Sequence, residues 1–156
     1  VEGLSSLIGE YRVKVDDKGR VKLPADLKRQ LRPEDHQRFV VKMGFEDSLE
    51  CFPWSTWEET TIDLKSRLNR YNPEHREFMR LYMDGAKELS LDAADRLLLP
   101  SSLLQRSGIT KEIVFMAAMD RIELWAPHKL DAKRAPGDVR LAELANKLLG
   151  GAPDGI

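Results

Sequence analysis

The ten residues VDDKGRVKLP at positions 15–24 return, altered but recognisable, as LDAADRLLLP at positions 91–100. Each copy sets an Asp four residues before an Arg and a Pro four residues after it. An offset of 76 carries Asp16 to Asp92, Arg20 to Arg96, Pro24 to Pro100 and Leu27 to Leu103. A phrase repeated with its spacing intact implies two copies of one structural unit. Further along, FVVKMGFEDSLECFP matches EIVFMAAMDRIELWAP when Glu50 is laid on Glu123, an offset of 73. Three residues are therefore lost from the intervening loop, where length changes are tolerated. A chain of 156 residues holds one compact domain, or two small halves with a common core.

Each copy reads as strand, tight turn, strand, short helix and two further strands. In EYRVKV, Tyr11, Val13 and Val15 alternate with Arg12 and Lys14, the period-two pattern of a half-buried strand with a basic outer face. KELSL is the weaker counterpart, with Leu89 and Leu91 inward. The Asp of each turn, Asp16 or Asp92, is placed to accept backbone N–H groups, and Gly19 supplies the positive φ that such a turn requires. Asp95 stands in the glycine position of the second copy. Asp is among the few other residues that tolerate the left-handed region, so the turn survives there with some strain. Pro24 and Pro100 suit the first position of the following helices, ADLKRQL and SSLLQRS, and Gly108 stops the second. One copy has too few strands for a core of its own. Two interleaved half-barrels closing on each other are the economical solution.

Between the copies, Ser55 and Glu58 have the spacing of a capping box ahead of a helix reaching about residue 71, and Asn72 with Pro73 opens another. Leu64, Leu68, Phe78, Leu81 and Tyr82 fall at helical spacing and read as core. After APGD at 135–138, a linker, VRLAELANKLLGG forms a helix of about three turns, and APDGI reads as a frayed tail. The organisation is a first repeat at 7–54, a helical connector at 55–83, a second repeat at 84–130, and linker, helix and tail at 131–156. The two repeats make one compact unit.

The chain is 42% apolar and 33% charged, as soluble globular proteins are. Its longest apolar run, IVFMAAM, falls well short of a membrane span, and no apolar leader opens the chain, so the expectation is a cytoplasmic protein with no membrane partner. Cys51 is the only cysteine, which excludes an internal disulfide. His36, His75 and His128 show no metal-ligand spacing and read as surface or helix-end residues; no metal and no cofactor is expected. A net charge of −1 hides a local imbalance: residues 10–32 carry eight cations against four anions, whereas residues 86–108 carry three of each. Only the first copy is basic.

Taken together, the paired Asp-x-x-x-Arg turns, each followed by Pro and a short helix, within GEY…D-x-x-GR…P and GA…L-D…R…P halves, resemble the MraZ family of bacterial transcriptional regulators. The resemblance spans about residues 7–130. It implies an α+β, β-rich fold of the AbrB-like, swapped-hairpin kind, a double-split β-barrel with added helices between and after the repeats. It also implies a sequence-specific DNA-binding repressor of its own division and cell-wall operon, associated with the nucleoid. The expected partner is double-stranded operator DNA with short direct repeats, bound by a homo-oligomeric ring. The family motif falls on Asp16 and Arg20, and again on Asp92 and Arg96; its usual glycine is Gly19 in the first copy and is replaced by Asp95 in the second. An acidic residue beside Arg96 would repel phosphate, so the first copy is expected to read DNA while the second mainly completes the barrel.

The expected contacts follow from side-chain chemistry. Arg20, and in the second copy Arg96, can bind guanine O6 and N7 through two N–H donors, a contact worth about 1–3 kcal/mol of discrimination. Arg12, Lys14, Lys18 and Lys22 would set register on phosphates. The structural alternative is that each Arg merely pairs with the Asp of its own turn, adding about 0–1 kcal/mol. Two other classes compete. Catalysis finds no positioned nucleophile, no Gly-rich phosphate loop and no metal signature to accompany Asp16, Asp17, Asp92 and Asp95, so an enzyme is not expected. A protein-binding ring or antitoxin-like inhibitor of another protein would use Trp54, Trp57 and Trp125 as anchors, although Trp beside a strand end is more commonly core.

Overall fold

The period-two stretches become strands, and a computed structural model describes residues 6–150. The first copy supplies β1 (Glu10–Lys14), β2 (Arg20–Lys22), α1 (Ala25–Gln30), β3 (Phe39–Met43) and β4 (Leu49–Pro53). Helices α2 (Trp54–Arg67) and α3 (Pro73–Met83) follow. The second copy supplies β5 (Lys87–Leu89), β6 (Arg96–Leu98), α4 (Ser101–Ser107), β7 (Glu112–Ala118) and β8 (Arg121–Trp125). The fold is α+β, with a six-stranded antiparallel sheet in the order β1-β7-β8-β4-β3-β5 and a two-stranded ribbon, β2-β6.

Every strand of one copy pairs with a strand of the other: β1 with β7, β2 with β6, β3 with β5 and β4 with β8. Neither copy could satisfy its backbone hydrogen bonds alone, which is why the two interleave. The register shows a local twofold relation. In the ribbon the central partners are Val21 and Leu97, which the offset of 76 makes equivalent; between β4 and β8 they are Glu50 and Glu123, equivalent at 73. The outer pairs refine the loop expectation. Val13 faces Ile113 and its equivalent Leu89 faces Phe39, an offset of 74 for β3 and β7. The second copy is thus two residues shorter than the first before β7 and one shorter in the β7–β8 turn, rather than three shorter in one loop.

The core forms where the ribbon and both short helices meet the sheet. Val21, Leu23 and Leu27 lie at 0–1% exposure and their equivalents Leu97, Leu99 and Leu103 at 0–2%, packed with Phe39, Phe115, Ile113 and Leu124. Each such side chain contributes about 1.5–3 kcal/mol relative to exposure. Pro24 and Pro100 occupy the N-cap positions, one residue before the helices, with extended backbone. Gly108 ends α4 in the left-handed conformation, φ 72°.

Three connector expectations need correction or refinement. Ser55 does not form a capping box: its N–H and its hydroxyl both donate to Asp35, a carboxylate buried at 2% exposure that caps α2 from 20 residues away. Helix α2 stops at Arg67, not near residue 71. The supposed core positions are largely outside, with Phe78 36% and Leu81 69% exposed and Leu64, Leu68 and Tyr82 half-buried. The reason is that α2 and α3 lean on the sheet through one small cluster, Val40, Phe52 and Trp57 with Trp54, Tyr82 and Ala86, leaving the rest of the helical pair uncovered. Asn72 does cap α3, its side chain accepting from the N–H groups of Glu74 and His75.

The chain divides into two compact units, 1–126 and 127–156. The second contains α5 (Pro127–Arg134), which crosses the expected boundary at 130, and α6 (Gly137–Leu148), the expected C-terminal helix. The expected tail lies, from residue 151 on, outside the described residues. Among the described residues no helix is long and apolar enough to cross a membrane.

Candidate nucleic-acid interface

The two Asp-x-x-x-Arg turns are built from the same bonds. In the first, Asp16 Oδ1 accepts from the N–H groups of Lys18 at 2.9 Å and Arg20 at 2.8 Å, while Oδ2 accepts from Arg20 Nε at 2.6 Å. In the second, Asp92 Oδ1 accepts from Ala94 and Arg96 at 2.9 Å and Oδ2 from Arg96 Nε at 2.9 Å. The backbone N–H of Arg20 is the main cause holding the Asp16 carboxyl below its ordinary pKa, and that of Arg96 does the same for Asp92. Each aspartate therefore fixes its turn and, through Nε alone, its arginine. The Nη groups are the donors left for an external partner, with Arg96 Nη1 also 4.0 Å from Asp16 Oδ2 across the ribbon. Pairing within the turn and contact with a ligand are compatible.

The glycine and its replacement are explained by what each one faces. Gly19 has φ 86°, and a Cβ there would lie 3.2 Å from Leu104 Cδ1 and 3.2 Å from the Leu99 carbonyl oxygen. Asp95, at φ 60°, adopts the left-handed conformation expected of it, and its carboxylate binds Lys28 Nζ at 3.0 Å. Lys28 and Leu104 are themselves equivalent at the offset of 76. Each turn thus matches the helix of the opposite copy: glycine beneath leucine, aspartate beneath lysine. The carboxylate of Asp95 is paired with a cation of the first copy, Lys28, rather than standing alone beside Arg96. Lys28, which sequence reasoning passed over, was detectable only once the twofold pairing was known.

On the ribbon, Val21, Leu23, Leu97 and Leu99 point inward and Arg20, Lys22, Arg96 and Leu98 outward. Arg20 lies opposite Leu98, and Lys22 opposite Arg96. Lys14, at the end of β1, and Lys18, in the turn, are exposed, and like Lys22 they have no ion-pair partner among the described residues. Arg12 differs: it lies 3.8 Å from Glu112 on β7. The equivalent pair in the other half, Glu88 with Arg38 at 2.7 Å, has its charges reversed, and Arg38 also sits 3.3 Å over the Trp54 ring.

The other flagged residues have structural surroundings. Trp57 and Trp125 are buried, and Trp54 is half-buried beneath Arg38. Cys51 is buried and its thiol is pushed up to about 12, so it is inert as a nucleophile. His75 Nδ1 accepts from the Asn69 N–H at a helix end. Among the described residues no three or more His, Cys, Asp or Glu side chains are gathered where they could hold a metal ion.

Two interleaved β-rich copies that present twin Asp-x-x-x-Arg turns beside a cationic two-stranded ribbon define a distinct class of α+β protein. Comparison with known families gives it a name. The family described as "MraZ protein, putative antitoxin-like" matches residues 7–81 and 82–132. Proteins named "Transcriptional regulator MraZ" are similar along most of their length. That of Christiangramia forsetii is 35% identical over 146 residues, 93% of this chain and 94% of the relative. That of Flavobacterium psychrophilum is 31% identical over 152 residues, 97% and 96%; that of Desulforamulus reducens is 30% identical over 142 residues, 91% and 96%. The chain belongs to the MraZ family.

Proposed function

We propose that this protein is a sequence-specific DNA-binding transcription regulator that represses its own division and cell-wall operon at the nucleoid. In this reading the two copies form a double-split β-barrel of the swapped-hairpin, AbrB-like kind, and its ribbon face meets the duplex. One observation carries it: Arg20, Lys22 and Arg96 share the outward face of a ribbon whose flanks hold the exposed cations Lys14 and Lys18. Arg20 and Arg96 supply base contacts, Lys14, Lys18 and Lys22 supply phosphate contacts, and Arg12, already near Glu112, contributes less. Asp16, Gly19 and Asp92 shape the turns. A ribbon this short spans only a few base pairs. Useful affinity then comes from several linked copies, as a ring on direct repeats provides. The relatives' names, which are those of transcriptional regulators, support a regulator rather than an enzyme.

A second reading rests on a different surface. The cleft of about 210 Å³ between α2 and α3 is lined by Leu64, Leu68, Phe78, Met79, Tyr82 and Met83, and a protein partner held there would make the chain antitoxin-like. Salt separates the two. DNA binding weakens by a slope of about −0.9 in log K per log salt for each phosphate neutralised, whereas an apolar interface is nearly indifferent. Fluorescence anisotropy with the duplex upstream of the protein's own gene, between about 50 and 200 mM salt, should give a steep slope. Lys14→Ala, Lys18→Ala and Lys22→Ala should each flatten it by about one for every protomer engaged. Unchanged slopes in all three would remove this face from DNA binding.

A further inference from the structure

The outward face of the ribbon holds four side chains, and one of them does not fit the other three. The local twofold through Val21 and Leu97 relates Arg20 to Arg96 and Lys22 to Leu98. Where symmetry would place a second lysine, the chain has a leucine that is 55% exposed. A lone exposed leucine is unremarkable on most surfaces. This one is held on a strand between the buried Leu97 and Leu99, directly opposite Arg20, with its partner position fixed by the register. Directly opposed residues have Cβ atoms about 4.5–5.5 Å apart. Leu98 therefore stands beside Arg20 on the face that meets the duplex in the reading above.

We propose that Leu98 is a specificity-determining residue that packs on the C5-methyl group of a thymine next to the base contacted by Arg20. Resting on the DNA-binding reading above, the inference adds what the cations cannot supply. In the major groove the thymine methyl is the one apolar feature among base edges that otherwise present hydrogen-bond donors and acceptors. A ribbon with lysine at both positions would offer the same contacts in either direction and favour a palindrome. Leucine at one of them gives the face a polarity, strengthened by the other inequalities between the halves: Lys14 is matched by Ser90 and Lys18 by Ala94. One protomer then reads a directional element, and further protomers in the same orientation read the same element again.

The test uses the full chain and a duplex selected by that chain from a random-sequence library, with each thymine replaced singly by uracil, which lacks only the methyl group. Wild type is expected to lose about fourfold in affinity at one thymine, the value of one buried methyl-sized group, and little at the others. Leu98→Ala should bind the thymine and uracil duplexes equally at that position, with circular dichroism unchanged. Leu98→Lys, which restores the symmetric residue, should also lose the methyl discrimination and steepen the salt slope by about one per protomer. Enrichment of a specific sequence with no uracil effect, or a uracil effect that persists in Leu98→Ala, overturns the assignment while leaving DNA binding intact. Loss of oligomeric mass in Leu98→Ala would show that another copy covers the leucine, and also overturns it. No sequence enrichment at all removes the DNA-binding reading itself, and the inference with it.

Discussion

Exchanging the residues of the two turns should have opposite consequences. In Gly19→Asp, the new side chain must be accommodated at φ 86° with its Cβ 3.2 Å from the Leu99 carbonyl. That carbonyl has little freedom to retreat, because the Leu99 N–H donates to the Gly19 oxygen at 3.0 Å. A left-handed non-glycine residue costs about 1–2 kcal/mol, and the carboxylate would meet Leu104 rather than a lysine. The expected loss is about 2–3 kcal/mol. Asp95→Gly relieves the same backbone strain at φ 60° and gives up an ion pair to Lys28 that is partly exposed on both sides. Such a pair is worth about 0–1 kcal/mol, so the net change lies within about 1 kcal/mol of zero. Urea denaturation followed by circular dichroism, at fixed protein concentration because association contributes, reads both. Adding Leu104→Lys to Gly19→Asp rebuilds the pairing of the other half and should recover about 0.5–1 kcal/mol relative to the sum of the single changes. Equal costs at positions 19 and 95, or a neutral Gly19→Asp, would refute the reciprocal matching of turns and helices.

Asp35→Ala removes a buried charged acceptor from two Ser55 donors and should destabilise the protein by about 2–3 kcal/mol in the same assay, whereas Glu58→Ala should change little because no capping box exists. The turn carboxylates predict an acid limb. With folded pKa values below the ordinary 3.8, Asp16 and Asp92 contribute stability that is complete above that value and is lost as pH falls through the folded pKa. The Asp16→Asn/Asp92→Asn double variant should therefore show a shallower decline below pH 3.8, seen as a smaller fall in denaturation midpoint than in wild type. Arg38→Lys should lower the denaturation midpoint despite keeping its charge, since lysine forfeits both the fork to Glu88 and the stacking on Trp54.

Local chemistry is legible in this sequence, and long-range pairing is legible only where it repeats. The strand alternation, the turn aspartates, the left-handed Asp95 and the Asn72 cap all depend on neighbours a few residues away, and each stands in the structure as its local sequence indicates. Aligning Glu50 with Glu123 even locates one point on the local twofold, because equivalent residues pair across such an axis. The bonds that had no local signal are those between distant residues: Lys28 with Asp95, Arg12 with Glu112, and Asp35 with Ser55. Helical spacing in α2 and α3 reveals an apolar side but not what covers it, and Phe78 and Leu81 show that an amphipathic pattern can remain uncovered in the isolated chain. Helix α5, PHKLDAKR, was hidden for the opposite reason, having too few apolar residues to show a period.

The central claim, that the face carrying Arg20 reads DNA, is most directly tested by anisotropy with the duplex upstream of the protein's own gene against a shuffled duplex of equal composition. Wild type should prefer the native sequence, and Arg20→Ala should lose that preference while keeping its fold by circular dichroism. A single bidentate contact of about 1–3 kcal/mol sets the expected loss at roughly 5- to 150-fold for each protomer engaged. Equal binding of native and shuffled DNA by wild type, or an Arg20→Ala variant that discriminates as well as wild type, would contradict the account.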